Sequence, residues 1–208
     1  MKKILITAAL LMIPFAALAQ GYNTTGGYGN ALLNSRGAMY IDQDSLKPTY
    51  SYTASDITPV ATATDVITIS GSASKVIRIK SVCLGGVATA ASVYDLYIYK
   101  RTTANTGGTS TNPTPVQFDS NDAAPSATVS LYTANATLGT GVLVSGGHIA
   151  LVNATTPAAQ LLQNCWEFGR GEEKPTLRGV AQSLAIGHGG GAVPSGANIY
   201  YTVQWTED

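Results

Sequence analysis

The clearest pattern of apolar and polar positions lies at the C-terminal end. Ile199, Tyr201, Val203 and Trp205 alternate with Asn198, Tyr200, Thr202 and Gln204. A period of two places the first set on one face of a β-strand and the second on the other. The same pattern recurs upstream. Ile77 and Ile79 alternate with Arg78 and Lys80, and Tyr94, Leu96 and Ile98 alternate with Tyr97 and Tyr99. Val66-Ile67-Thr68-Ile69 is β-branched throughout. Further strands are predicted at Ala127–Thr133, Val142–Val144, His148–Val152, Leu161–Phe168, Leu177–Ile186 with a break at Gly179, and Ile199–Trp205, with a short edge strand at 115–118. No window holds a helical period of useful length. The alanine-rich stretch near Thr156–Leu162 is the sole helix candidate, and Pro157 limits it to a turn or two.

Short strands at roughly ten-residue spacing, without βαβ alternation, predict an all-β fold built as a single β-sandwich. A jelly roll is the first choice and an immunoglobulin-like sandwich the second. Thr102 to Pro115, rich in Gly, Asn and Pro, is predicted to be a long surface loop.

The N-terminal end is different. Met1-Lys2-Lys3 is a basic start, Ile4 to Leu18 is apolar apart from Thr7, and Ala17-Leu18-Ala19 supplies small residues at −3 and −1. That is the layout of a secretory signal peptide over residues 1–19, with the exported protein starting at Gln20. No second apolar span follows, so no membrane span is expected after cleavage. Residues 20–58, opening on a Gly/Asn/Tyr-rich run, read as an extended or flexible arm. Residues 59–208 read as the sandwich domain.

Charge narrows the partners. Twelve basic residues face twelve acidic ones, and removal of Lys2 and Lys3 leaves a formal charge of −2. Nucleic acid demands a basic stripe, and none is present. Charged residues make up 12% of the chain, about half the usual share, and Ser, Thr, Asn and Gly replace them. Cys83 and Cys165 permit one disulfide in an oxidising compartment, or two buried thiols.

Catalytic motifs are missing. The chain has no G-x-S-x-G elbow, no dinucleotide fingerprint and no phosphate loop. Gly187-His188-Gly189-Gly190-Gly191 lacks a following Lys and reads as a loop. His148 and His188 lack the i+2 or i+4 partner that would place two imidazoles on one metal. Asp42-Gln43-Asp44-Ser45 and Asp119-Ser120-Asn121-Asp122 are oxygen-rich, but both lack the Gly and distal Glu of a calcium loop, and turn formation and N-capping explain them more simply. Asp95, Glu167, Glu172 and Glu173 are available as carboxylates, with no spacing that pairs them. No enzymatic activity, cofactor or metal is expected. Tyrosine stands out, with 11 against 3 phenylalanines. Tyr97, Tyr99 and Tyr200 alternate away from the apolar faces and are the candidate surface contacts, for protein or for stacked sugar.

Four segments carry a resemblance: Leu46–Tyr50, Ala63–Lys75, Lys100–Ser110 and Tyr132–Thr140. Over residues 36–208 the chain resembles a group of small β-rich proteins encoded in tailed-phage genomes and prophages. The resemblance implies a structural or surface-binding role, virion-associated, and carries no active residues with it. The signal peptide points instead to a periplasmic, secreted or cell-surface product. The expected function is a non-enzymatic structural or surface-decoration protein working through protein–protein contacts, self-association included. A secreted carbohydrate- or surface-binding module is the alternative.

Overall fold

The computed structural model describes residues 47–59, 64–155, 163–169 and 174–208, together with the backbone of 32–33 and 39–40. The chain divides into two units, Met1–Asp42 and Gln43–Asp208. In the first, β1 (Leu32–Leu33) pairs antiparallel with β2 (Met39–Tyr40).

The second unit is all-β among the described residues. Its strands are β3 (Thr49–Ile57), β4 (Thr64–Ser70), β5 (Val76–Ala88), β6 (Ser92–Arg101), β7 (Thr109–Thr111), β8 (Val116–Gln117), β9 (Thr128–Ala134), β10 (Gly141–Asn153), β11 (Gln163–Glu167), β12 (Thr176–Arg178), β13 (Ser183–His188) and β14 (Asn198–Glu207). They form one hydrogen-bonded network in the order β7-β9-β4-β13-β6-β10-β5-β14-β3-β8, with β11 and β12 each paired to β5. The sheet curls into a half-barrel instead of separating cleanly into two sheets. Its continuity rests on one step. β10 meets β5 in parallel through Val152↔Val87 and Asn153↔Ala88, whereas the other ladders are antiparallel.

The expected arm over residues 20–58 needs correction at its end. β3 lies inside it, pairs with β14 from Thr49↔Thr206 to Ile57↔Ile199, and buries Tyr50 completely. The polar residues of β3 hid it: Ser51, Thr53 and Ser55 occupy its other face, so its apolar signal is thin. The helix candidate near Thr156–Leu162 lies outside the described residues.

Alternation explains most of the core. Ile77 and Ile79 of β5, Tyr94, Leu96 and Ile98 of β6, and Ile199, Tyr201, Val203 and Trp205 of β14 are all buried and belong to one cluster. Burying a side chain of this size contributes about 1.5–3 kcal/mol. Tyr94 and Tyr201 meet across the core, hydroxyl to hydroxyl, at 3.0 Å. Burial pushes the Tyr94 phenol up to about 12 and raises Tyr201 well above the ordinary value, so both stay neutral hydrogen-bonding groups. β4 does not alternate in burial: every residue but Ser70 is buried. Both of its faces are covered.

The stretch between β6 and β10 carries β7, β8 and β9: β8 and β9 answer to the strands expected at 115–118 and Ala127–Thr133, and β7 is a short strand within the predicted Thr102–Pro115 loop. β8 pairs with β3 at Tyr50↔Gln117 and Ser51↔Val116, β9 pairs with β4 from Ile67↔Leu131 to Ser70↔Thr128, and β7 pairs with β9. The insertion thus supplies partners to the free sides of both β3 and β4. Glu207 anchors it. This buried carboxylate accepts from the Ser126 amide (3.0 and 2.9 Å), the Ser126 hydroxyl (2.6 Å), the Ala127 amide (3.0 Å) and the Trp205 indole N–H (3.1 Å). Lys75 Nζ lies 3.5 Å away. Burial alone would raise the Glu207 pKa. The bonds from Ser126, Ala127 and Trp205 outweigh it and hold the pKa below the usual value.

Removing this carboxylate strands several buried donors. Glu207→Ala is expected to lower the unfolding free energy by about 3 kcal/mol, read from urea midpoints at pH 7. The sign of the pH effect follows from the lowered pKa. The contribution of Glu207 is complete above the unfolded glutamate value near 4.3 and is lost as pH falls through the folded value. Between about pH 5 and pH 3 the wild type should therefore lose stability more steeply than Glu207→Ala.

Candidate binding surface on the outer face of β6

With Tyr94, Leu96 and Ile98 committed to the core, alternation turns Asp95, Tyr97, Tyr99 and Arg101 to the opposite face of β6. The neighbouring strands offer small residues there. On β13, Gly187 pairs with Tyr97, Ala185 with Tyr99 and Ser183 with Arg101. On β10, Gly146 pairs with Tyr97 and Leu143 with Tyr99. The Tyr97 ring occupies space that side chains at two glycines would need. A Cβ on Gly146 would come within 2.6 Å of the ring, and one on Gly189 would overlap it. Close glycine approach on both sides thus fixes the ring position. Tyr97 and Tyr99 are tilted at 58° with centroids 6.1 Å apart. The Arg101 guanidinium stacks 4.6 Å over the Tyr99 ring, a cation–π contact.

Asp65 of β4 holds this row. Its Oδ1 accepts from Arg101 Nη2 at 2.7 Å, and its Oδ2 accepts from Arg101 Nε at 3.0 Å and Asn105 Nδ2 at 2.8 Å. The paired side chains of Arg101 and Asp65 are 8% and 2% exposed. Arg101 Nη1 donates to the Gly139 carbonyl (3.0 Å), and the Gly139 amide donates to Asn105 Oδ1 (2.8 Å). The bidentate geometry is the strong form of an Arg–carboxylate pair. It ties the start of the insertion, at Asn105, to its end, at Gly139.

A shallow cavity of 160 Å³ results, lined by Tyr97, Tyr99, Arg101, Asp65, Leu138 and Gly187 among others. Two phenol rings, an aliphatic rim and a floor of small residues suit a flat, partly apolar ring. The charges within it already satisfy each other, so the surface offers shape and stacking more than a free acid or base. A larger cavity of 380 Å³ elsewhere carries Lys100, Lys174 and Arg178, with no aromatic side chain in its described lining.

The other sequence candidates fall apart from this surface. Tyr200 of β14 pairs with Gly85 of β5, and its ring lies over that glycine, so it is not part of the cavity. Cys83 and Cys165 sit directly opposite each other on β5 and β11 and form a disulfide with Cα atoms 4.1 Å apart. By loop-closure entropy, a cross-link across 82 residues of sequence stabilises the fold by up to about 4–5 kcal/mol. Glu167 lies beside the sulfurs, but bonded sulfur is no thiolate ligand. His148 Nδ1 is hydrogen-bonded to Asp95 Oδ1, and the imidazole is 75% exposed. Buried His188 stacks on Tyr94, with its ring nitrogens 3.3 and 2.8 Å from the Asp95 and Gly191 carbonyls. Among the described residues no Ser, Thr or Cys side chain hydrogen-bonds to either imidazole. Asp119 Oδ1 accepts from the Asn121 amide and side chain, a self-satisfied turn. Asp42, Asp44, Glu172 and Glu173 lie outside the described residues.

Sequence reasoning found Tyr97 and Tyr99 and missed Asp65, Arg101 and Leu138. The signal for Asp65 was available: a lone acid within Thr64–Ile69, where a buried strand leaves a charge no choice but to pair. No family model, curated protein or solved structure matches the chain.

Asp65→Ala leaves Arg101 buried without its partner and is expected to cost about 3–5 kcal/mol. Asp65→Ala combined with Arg101→Met should recover part of that loss. Urea denaturation of the two single variants and the double variant measures the coupling.

Proposed function

We propose that the chain is an exported, non-enzymatic structural or surface-decoration protein on a jelly-roll framework, acting by protein–protein contacts at a phage-like particle or cell surface. The strand order carries this reading. The β10–β5 link is two residue pairs long. Set aside, it leaves β3-β14-β5 followed by β11 and β12 on one side, and β4-β13-β6-β10 on the other. With β11 and β12 counted as one strand, the eight strands divide between the halves in the sequence order of a double Greek key, which supports the jelly roll, an architecture of capsid and lectin domains. It departs from the ABED/CFG order of immunoglobulin domains. β7, β8 and β9 are then additions within the connection between the fourth and fifth strands of the set, β6 and β10.

Fold alone does not assign function. The phage-protein resemblance supports the particle role. The disulfide and the leader-like N-terminus support export into an oxidising compartment. A second reading, a carbohydrate-binding module, is favoured by the Tyr97/Tyr99 cavity, whose 160 Å³ is on the scale of one sugar ring.

Gradient-purified tailed-phage particles and the cell-free medium of the source strain, both analysed by mass spectrometry, test the proposal. The chain should co-sediment with particles or with the cell surface. Recovery as a free protein that sediments with neither contradicts it. A glycan array decides the second reading, with binding expected to fall at least roughly tenfold in Tyr97→Ala if sugar stacks there.

A further inference from the structure

β5 is paired on both sides. On one side β14 runs along it from Ile77 to Val87. On the other, β11 covers its middle, from Gln163↔Gly85 to Glu167↔Ser81. β11 is five residues long, and among the described residues it pairs with β5 alone. Little side-chain burial holds it. Its residues are exposed except for half-buried Trp166, which packs against the core with Phe168 just beyond the strand. The Cys83–Cys165 bond is the covalent tie between β11 and β5.

Register decides which amides depend on this tie. In an antiparallel pair, facing residues with Cα atoms about 4.5 Å apart exchange no hydrogen bonds, and those about 5.5 Å apart exchange two. Cys83 and Cys165, at 4.1 Å, are of the first kind. Val82 and Leu84 therefore bond to Trp166 and Asn164, their partners on β11. The Phe168 amide continues the set by donating to the Lys80 carbonyl at 2.9 Å. Cys83 and Gly85 turn their backbone groups the other way, to β14.

The disulfide is also placed to react. Val82 and Leu84 point into the core, so alternation sets Cys83, and with it Cys165 and Glu167 of β11, on the outer face. Cys165 and Glu167 are exposed and Cys83 is half-buried. Exposed disulfides are the ones open to exchange with outside thiols. The Glu167 carboxylate lies within 4.8 Å of both sulfurs, so an incoming thiolate meets a like charge.

We propose that the Cys83–Cys165 bond is a site of thiol–disulfide exchange with an external dithiol, and that its reduction releases β11 from β5. A thiolate of the dithiol attacks Cys165 Sγ, the more exposed sulfur. A bond forms between these two sulfurs, the Cys83–Cys165 bond breaks, and Cys83 leaves as a thiolate that takes a proton from water. The second thiol of the dithiol then attacks the reductant's own sulfur, and Cys165 leaves in turn. Two electrons pass to the protein, and the dithiol ends as a disulfide. Reduction returns to the chain the freedom that the cross-link removed. A five-residue ladder and two half-buried rings are what then hold β11. Its opening uncovers the backbone groups of Val82 and Leu84.

The test uses the full exported chain. Millimolar dithiothreitol without denaturant should reduce the bond, read by mass as two alkylated cysteines. Amide exchange followed by NMR then reports the opening. Val82, Leu84, Asn164 and Trp166 should lose protection at least roughly tenfold on reduction. The amides of Cys83, Gly85 and β6 should keep theirs over the same period. Cys83→Ser combined with Cys165→Ser should reproduce this pattern without reductant. Glu167→Gln should be reduced at least roughly twofold faster, and added salt should close the gap. A bond that resists dithiothreitol until denaturant is added overturns the inference. So does reduction that leaves Val82 and Leu84 as protected as before, or that strips protection equally from β11, β6 and β14. An unchanged rate in Glu167→Gln overturns the part given to the carboxylate.

Discussion

A carboxylate placed in a buried strand must find charge and hydrogen bonds or give up its proton. Asp65 finds both, in Arg101 and Asn105. Because β4 is covered on both faces, water cannot supply these bonds. The consequence runs outward. Arg101 is held against Tyr99, Asn105 and Gly139 are drawn together, and Leu138 is set at the rim of the cavity. A salt bridge of this kind contributes little net stability against an apolar substitute. Its value here lies in specifying where a long insertion begins and ends.

Glu207 does the corresponding work within the insertion, at Ser126 and Ala127. Between these two acids the chain crosses from β6 to β10 and leaves β8 on β3 and β9 on β4. The aromatic row and the pairing of β3 and β4 by the insertion are therefore consequences of one arrangement. The insertion pairs with β3 and β4, whereas among the described residues β10 pairs with β6 alone from Gly141 to Leu151.

The legible parts of the sequence were those where alternation is clean. β6 and β14 were readable because every second residue is large and apolar, and the outward placement of Tyr97 and Tyr99 came with them. β3 was obscured because serines and threonines fill its open face. β10 was read as two strands, Val142–Val144 and His148–Val152, since Ser145-Gly146-Gly147 resembles a turn. In the fold Gly146 is there to admit the Tyr97 ring, and the strand passes through. Gly179 did mark a break, between β12 and β13, and its φ of 73° explains why. The pairing of Asp65 with Arg101, 36 residues away, could not be read from spacing, because only the strand order brings β4 and β6 to either side of β13.

The central claim is that residues 102–140 are an integral, anchored part of the sheet. Hydrogen–deuterium exchange of the full chain, resolved by peptide, tests it most directly. The amides of Thr128–Ala134 and those near Gly139 should exchange about as slowly as those of β6 and β14. In Asp65→Asn, protection should fall first at Asn105 and Gly139 while β14 stays protected. Exchange of residues 102–140 within seconds in the wild type, against a slow β6 and β14, would contradict the account.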